Sequence, residues 1–183
     1  MEQQPVIPAG SEWTDKHIRD FCGSPVSRIS DEWMLITCGN TADQKGLWNT
    51  MTASWGGLGV LWSKNVAFMF IRPTRFTFAL ANESQLFTLS FFDASYRRSL
   101  EICGAASGRD TDKAAQAGLK PIVFSDGSIA FQEAKEIIVC RKLYVHDFDP
   151  GQFLDPSIEG LYPVKDYHRM FIGEVLTLRV KEA

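Results

Sequence analysis

Short apolar runs rich in aromatic and β-branched residues recur along the chain, broken by Gly, Asn, Asp and Pro, and this pattern predicts strands. The first is Trp33 to Thr37, closed by Cys38-Gly-Asn40, whose Gly and Asn tolerate positive φ. Thr50 to Ser54, Val66 to Ile71 and Leu86 to Phe92 follow, with Pro73 ending or edging the second of these because proline brings no N–H to a ladder. A short helix is predicted over Thr77 to Asn82. Two more flank a polar loop: Tyr96 to Cys103, with Tyr96, Leu100 and Cys103 at helical spacing, and Thr111 to Ala117, stopped by Gly118. Strands then resume. Ser125-Asp-Gly-Ser128 suits a tight hairpin, Glu133 to Phe148 reads as one long strand, and Arg169 to Val180 as the last, after an acidic loop over Asp147 to Glu159. Residues 1 to 30 show no resolving pattern and read as an arm or lead-in segment to a domain spanning 31 to 183.

Many strands with short helices between them predict a mainly β protein, an antiparallel barrel in which closure removes exposed edges. At 183 residues with a hydrophobic fraction of 45%, the chain can bury one substantial core without a staple. A net charge of -3 supplies no positive field to gather nucleic acid or anionic lipid. The longest apolar run, Asn65 to Ile71, is too short for a membrane helix, and Met1 to Gly10 lacks the layout of a secretory signal. Cys22, Cys38, Cys103 and Cys140 have no paired spacing and read as free thiols of a cytoplasmic protein. The three histidines, His17, His146 and His168, show no metal-binding spacing, so no metal is expected.

Three stretches carry chemical promise. Asn49-Thr-Met-Thr-Ala-Ser-Trp-Gly-Gly-Leu-Gly59 concentrates hydroxyls and small residues beside an indole, which suits a large flat ligand. Read alone, it is equally a Thr-rich strand ending in a glycine bulge. Its glycines are no P-loop, since no Gly-Lys-Ser/Thr follows. Arg72-Pro-Thr-Arg-Phe-Thr77 places two guanidinium groups at a strand end, either as a phosphate clamp or as a solvated surface pair. Ser107-Gly-Arg-Asp-Thr-Asp-Lys113 offers a helix start and a lysine to an anion, or an ordinary helix capped by Asp110 or Thr111. Cys103 beside it is either a reactive or a buried thiol, and no nucleophile elbow supports hydrolase chemistry.

Asn49 to Gly56, Phe70-Ile-Arg-Pro73, Phe87 to Phe92, Ser107-Gly-Arg-Asp110 with Asp112-Lys113, and His168 to Val175 together resemble, in order and spacing, the flavin reductase-like family, in its flavoredoxin-like branch. The resemblance covers about residues 33 to 178. It implies an FMN-binding split β-barrel and a homodimer with FMN near the subunit interface. It assigns Asn49, Thr50, Met51, Thr52, Ala53, Ser54 and Trp55 to the isoalloxazine and ribityl chain. Ser107, Gly108, Arg109, Asp110 and Lys113, with Arg72, Arg75 and Thr77, then hold the polar tail. Ser90 and Phe91 border the cleft, Cys103 joins the set, and His168 meets an incoming nicotinamide. The implied activity is that of an NAD(P)H-dependent flavin reductase-like oxidoreductase, with NADH or NADPH as donor. The alternative is a flavoredoxin-type carrier exchanging electrons with a protein partner.

Overall fold

The computed structural model describes residues 6–7, 12–40, 42 and 46–182. Much of Met1 to Gly10 therefore lies outside the described residues. The elements run β1 (Val6–Ile7), β2 (Trp13–Lys16), α1 (Pro25–Ser27), β3 (Met34–Gly39), β4 (Trp48–Ala53), β5 (Gly56–Leu61), β6 (Lys64–Ile71), α2 (Thr77–Glu83) and β7 (Leu86–Phe91). Then come α3 (Arg97–Ala105), α4 (Lys113–Gln116), β8 (Pro121–Phe124), β9 (Ile129–Phe131), β10 (Glu136–Asp147) and β11 (Arg169–Lys181).

The main sheet is antiparallel, in the order β4-β3-β7-β10-β11-β6-β5, with β2 pairing beside β11. Its first and last members are consecutive in the chain, separated only by Ser54 and Trp55. Seven flat strands would span about 29 Å at ~4.8 Å spacing. Three residue steps reach at most roughly 11 Å. The sheet therefore curls until its two edge strands approach at the Ser54-Trp55 link, as in a split barrel, with no ladder joining β4 to β5 among the described residues. The strand period of two then sorts side chains to opposite faces. Met34, Ile36, Leu89, Phe91, Ile138 and Phe171 fill one apolar cluster. Leu35, Ile137 and Val139 face the other way and join a second cluster with Leu100, Phe124 and Phe131, from α3, β8 and β9. Because β3, β7 and the first half of β10 are covered on both faces, their sequences read as continuous apolar runs instead of alternating ones.

Several sequence expectations shift at the edges. The glycine-rich stretch after Trp55 is itself a strand, β5, paired along β6. The long strand begins at Glu136 and carries irregularities at Val139/Cys140 and Lys142/Tyr144, where the ladder with β11 slips and the strand can bend. The Asp-Gly hairpin forms, with Gly127 at φ +84 and Asp126 Oδ1 accepting from the Ser128 N–H and hydroxyl at 2.9 and 2.6 Å. The helix near residue 112 is shorter than its pattern. Asp112, not Asp110 or Thr111, is the N-cap, accepting from Ala115 N–H at 3.0 Å, because residues 107–111 are already committed to a turn on the Ser107 carbonyl. Within the lead-in segment, Trp13 is 4% exposed and packs edge-on against Phe124 at 5.9 Å.

Gly173 on β11 shows how tightly the interior is filled. A Cβ there would lie 2.4 Å from Phe87 Cε1 and 2.9 Å from Cys140 Cβ. Gly173→Ala should therefore destabilise the barrel by about 1–3 kcal/mol through overpacking, measured as a lower urea midpoint. An unchanged midpoint would show that Phe87 can move aside.

Candidate functional site

A cleft of ≈ 160 Å³ opens where β4, the turn leading into α2, the end of α3 and the Ser107 loop converge. These segments are distant in sequence. They meet because β4 contacts both α2 and α3 across the sheet edge. β4 contributes Asn49, Met51 and Thr52. The Asn49 amide donates to Thr77 Oγ1 at 2.8 Å, and the Thr52 hydroxyl donates to the Leu100 carbonyl, so strand and helices are joined through the cleft floor. The Ser107 loop approaches so closely that a Cβ on Gly108 would sit 2.1 Å from Asn49 Oδ1. Glycine is required there for proximity alone.

The electrostatics are one-sided. Lys113 is 5% exposed, and its Nζ donates to the Cys103 carbonyl at 2.8 Å. Arg75 reaches the Gly104 carbonyl at 3.5 Å, while Arg109 donates to the Thr74 carbonyl at 3.4 Å and lies over Phe76. Among the described residues no carboxylate pairs with any of the three. Burial pushes the Lys113 ammonium down to about 8; the Cys103 thiol acts against this and the like charge of Arg75 adds to it. Burial raises the Cys103 thiol to about 11, opposed by Lys113, so it stays protonated. That state does not suit a nucleophile.

Other expected site residues lie elsewhere. Thr50 is buried, with its hydroxyl given to the Ile36 carbonyl at 3.2 Å, and Ala53 belongs to the apolar interior. Arg72 does not line the cleft: its guanidinium pairs with Asp166 at 2.8 Å and donates to the Leu161 carbonyl at 2.9 Å. Ser90 and Phe91 are also absent from it, since β7 is a central strand and buries both faces, Phe91 within the barrel and Ser90 at 0% exposure. Asp110 is exposed on the loop. Thr74, Phe76 and the Gly104–Ala106 backbone line the cleft without having been singled out in the sequence. The turn into α2 brings Thr74 and Phe76 there, and the end of α3 brings the other three.

Ser54 and Trp55 border a separate, mostly apolar cavity of ≈ 410 Å³ with Val26, Ile29, Phe70 and Phe148. Trp55 is 42% exposed, and its ring centroid lies 5.0 Å from that of His168. His168 is buried, with Nδ1 2.8 Å from the Tyr162 hydroxyl. Burial, then the nearby Arg72 charge, lowers its pKa to about 4, against a smaller opposing pull from Asp166. At neutral pH it is an uncharged imidazole. Among the described residues no three His, Cys, Asp or Glu side chains gather as a metal site, and no helix is long and apolar enough to cross a membrane.

The sequence profile of the flavin reductase-like domain matches residues 26–183. The chain belongs to the flavin reductase-like family. Solved structures of similar fold include the FMN-binding protein of Thermus thermophilus with bound p-hydroxybenzaldehyde. It is 20% identical, covers 82% of this chain and 72% of its own, and has a TM-score of 0.63. Flavoredoxin of Desulfovibrio vulgaris (Miyazaki F) is 22% identical over 82% of this chain and 69% of its own, with a TM-score of 0.62. Nitrilotriacetate monooxygenase component B from Bacillus cereus is 17% identical over 82% and 70%, with a TM-score of 0.63. No curated protein matches the chain. At these identities the likeness concerns the split-barrel fold, which this member of the family shares.

Proposed function

We propose that the cleft binds FMN and that the protein transfers electrons through it as an NAD(P)H-dependent flavin reductase-like oxidoreductase. Lys113 carries the reading. It is a nearly buried ammonium with a single protein acceptor, flanked by Arg75 and Arg109 and balanced by no carboxylate among the described residues. Such a set calls for an anion, and a phosphate monoester brings close to two negative charges at neutral pH. At ≈ 160 Å³ the cleft falls below the ~300 Å³ of pockets that enclose whole ligands, which suits a phosphate and polyol tail better than a ring. The family and the FMN-binding neighbours support the same cofactor.

Bound FMN would supply the hydride and electron chemistry. The chain's own groups would bind and orient it. Lys113, Arg75 and Arg109 neutralise the phosphate, Asn49 and Thr77 hold β4 against α2, and Gly108 keeps the loop close. His168 is the group we assign to meeting a hydride donor. It acts as a neutral ring whose orientation is set by Tyr162, not as a charged acid. We further read the protein as a homodimer on the family resemblance, and sedimentation at micromolar concentration tests this.

Protein incubated with FMN and desalted should be yellow, should release FMN on denaturation, and should oxidise NADH or NADPH faster than free FMN does. A folded but colourless preparation overturns the cofactor. A yellow protein that ignores both nicotinamides overturns the reductase and favours a carrier served by a protein partner.

The depressed Lys113 pKa sets a pH dependence. FMN affinity should fall as pH rises through about 8, because the ammonium loses the proton that attracts the phosphate. Stability of the FMN-free protein should move the other way. Between pH 8 and the ordinary 10.5, the unfolded chain holds a proton that the folded chain has released, so unfolding free energy rises with pH. Fluorescence titration of FMN and urea unfolding across pH 7 to 10 check the two signs.

A further inference from the structure

The segment Arg72 to Arg75 supplies two of the cationic contacts at the cleft. Arg75 is its last residue, and Arg109 rests on its Thr74 carbonyl. As a backbone unit it is a single tight turn, closed by Arg75 N–H to the Arg72 carbonyl at 3.0 Å, with Pro73 stiffening it. A turn of this kind on its own leaves its long side chains free to swing. Here a carboxylate from the far end of the chain grips both arms. Asp166 Oδ1 accepts from Arg72 at 2.8 Å, and Asp166 Oδ2 accepts from the Thr74 hydroxyl at 3.1 Å. Asp166 is itself held in place. The preceding Lys165 adopts φ +55, and its N–H donates to the Tyr162 carbonyl at 2.9 Å. Arg72 lies over the Tyr162 ring at 4.8 Å while donating to the Leu161 carbonyl.

We propose that Asp166 is a positioning residue for the anion site: its two oxygens fix the Arg72–Arg75 turn so that Arg75, and Arg109 through the Thr74 carbonyl, face the cleft. This rests on the flavin reading above. It makes a prediction whose sign differs from that of simple electrostatics. A carboxylate near a phosphate site repels the ligand through space, so removing it should tighten binding if charge alone mattered. If Asp166 positions the turn, removing it loosens the cationic set and weakens binding. The same carboxylate sits two residues before His168 and is linked to it by three contacts, Asp166 to Arg72, Arg72 over the Tyr162 ring, and Tyr162 to His168.

The test measures FMN and riboflavin affinity by fluorescence quenching for wild type, Asp166→Ala, Asp166→Glu and Thr74→Val. Riboflavin lacks the phosphate and reports on everything except the anion site. Asp166→Ala should lose roughly ten-fold in FMN affinity, equal to about 1.4 kcal/mol, with riboflavin affinity unchanged. Thr74→Val should lose less, and Asp166→Glu should recover part of the loss. Should Asp166→Ala fail to fold, Thr74→Val carries the comparison. FMN affinity that is unchanged or increased, or FMN and riboflavin affinities that fall together, would overturn the positioning role alone. Wild-type protein that binds neither flavin would overturn the flavin reading as well.

Discussion

Glu136→Ala should cost the fold about 3 kcal/mol, read as a lower urea midpoint with an unchanged slope. Glu136 opens β10 at 3% exposure, and its Oε2 lies 2.7 Å from the Arg28 guanidinium. The contact is a close ion pair without aligned hydrogen-bond geometry. Arg28 lies over the rings of Phe21 and Phe91, at 5.2 and 5.1 Å, with its side chain 10% exposed. Its other carboxylate, Glu32 at 3.0 Å, is half exposed and screened by solvent. Truncating Glu136 therefore strands a largely buried cation in an aromatic setting. The loss should spread to the segment leading into β3, which carries Ile29 and Ser30 to the apolar cavity beside Trp55. Replacing both partners, Arg28→Met with Glu136→Leu, should restore most of the stability, because an apolar pair carries no desolvation cost. A single-mutant cost under about 1 kcal/mol would mean that water reaches Arg28 and that the pair does not anchor this segment.

Lys113→Ala should weaken FMN binding by roughly ten- to a hundred-fold, the equivalent of the 1.5–3 kcal/mol typical of a hydrogen bond to a charged group. The FMN-free protein should be no less stable for the change, since the side chain removed is a buried charge with one neutral acceptor. Binding thus falls while stability does not, which separates a ligand contact from a structural lysine. Riboflavin affinity should be insensitive to the substitution. If thermal stability falls and FMN affinity holds, Lys113 belongs to the scaffold, and the anion at this cleft must be held by the arginines.

Much of the barrel was legible in advance because strand content is a local property. Runs such as Val66 to Ile71 and Leu86 to Phe92 announce buried strands whatever surrounds them, and the Asp126-Gly127 pair announces its hairpin. The convergence of three polar segments was legible in outline: those of Asn49, Arg75 and Ser107 line one cleft, which is the site we propose for the flavin. Within it, the two arginines of one tight turn looked equivalent. They part company only because Asp166, 94 residues from Arg72, captures that side chain and leaves Arg75 for the cleft. Ser90 and Phe91 were out of reach for a related reason. Neighbours on a strand point to opposite faces, and nothing local says that β7 would be covered on both.

The sequence alone determined most of the element types from Trp33 onward, the hairpin, the family and the three segments that carry polar chemistry, since these depend on short-range pattern and residue identity; β2, α1 and the glycine-rich β5 escaped it. Only the tertiary structure decided which side chains of those segments face the cleft, that Lys113 is buried without a counter-charge among the described residues, and that His168 is neutral behind Trp55. Burial and pairing are properties of the assembled chain: they depend on distances between residues that lie dozens of positions apart, and no local pattern encodes those distances.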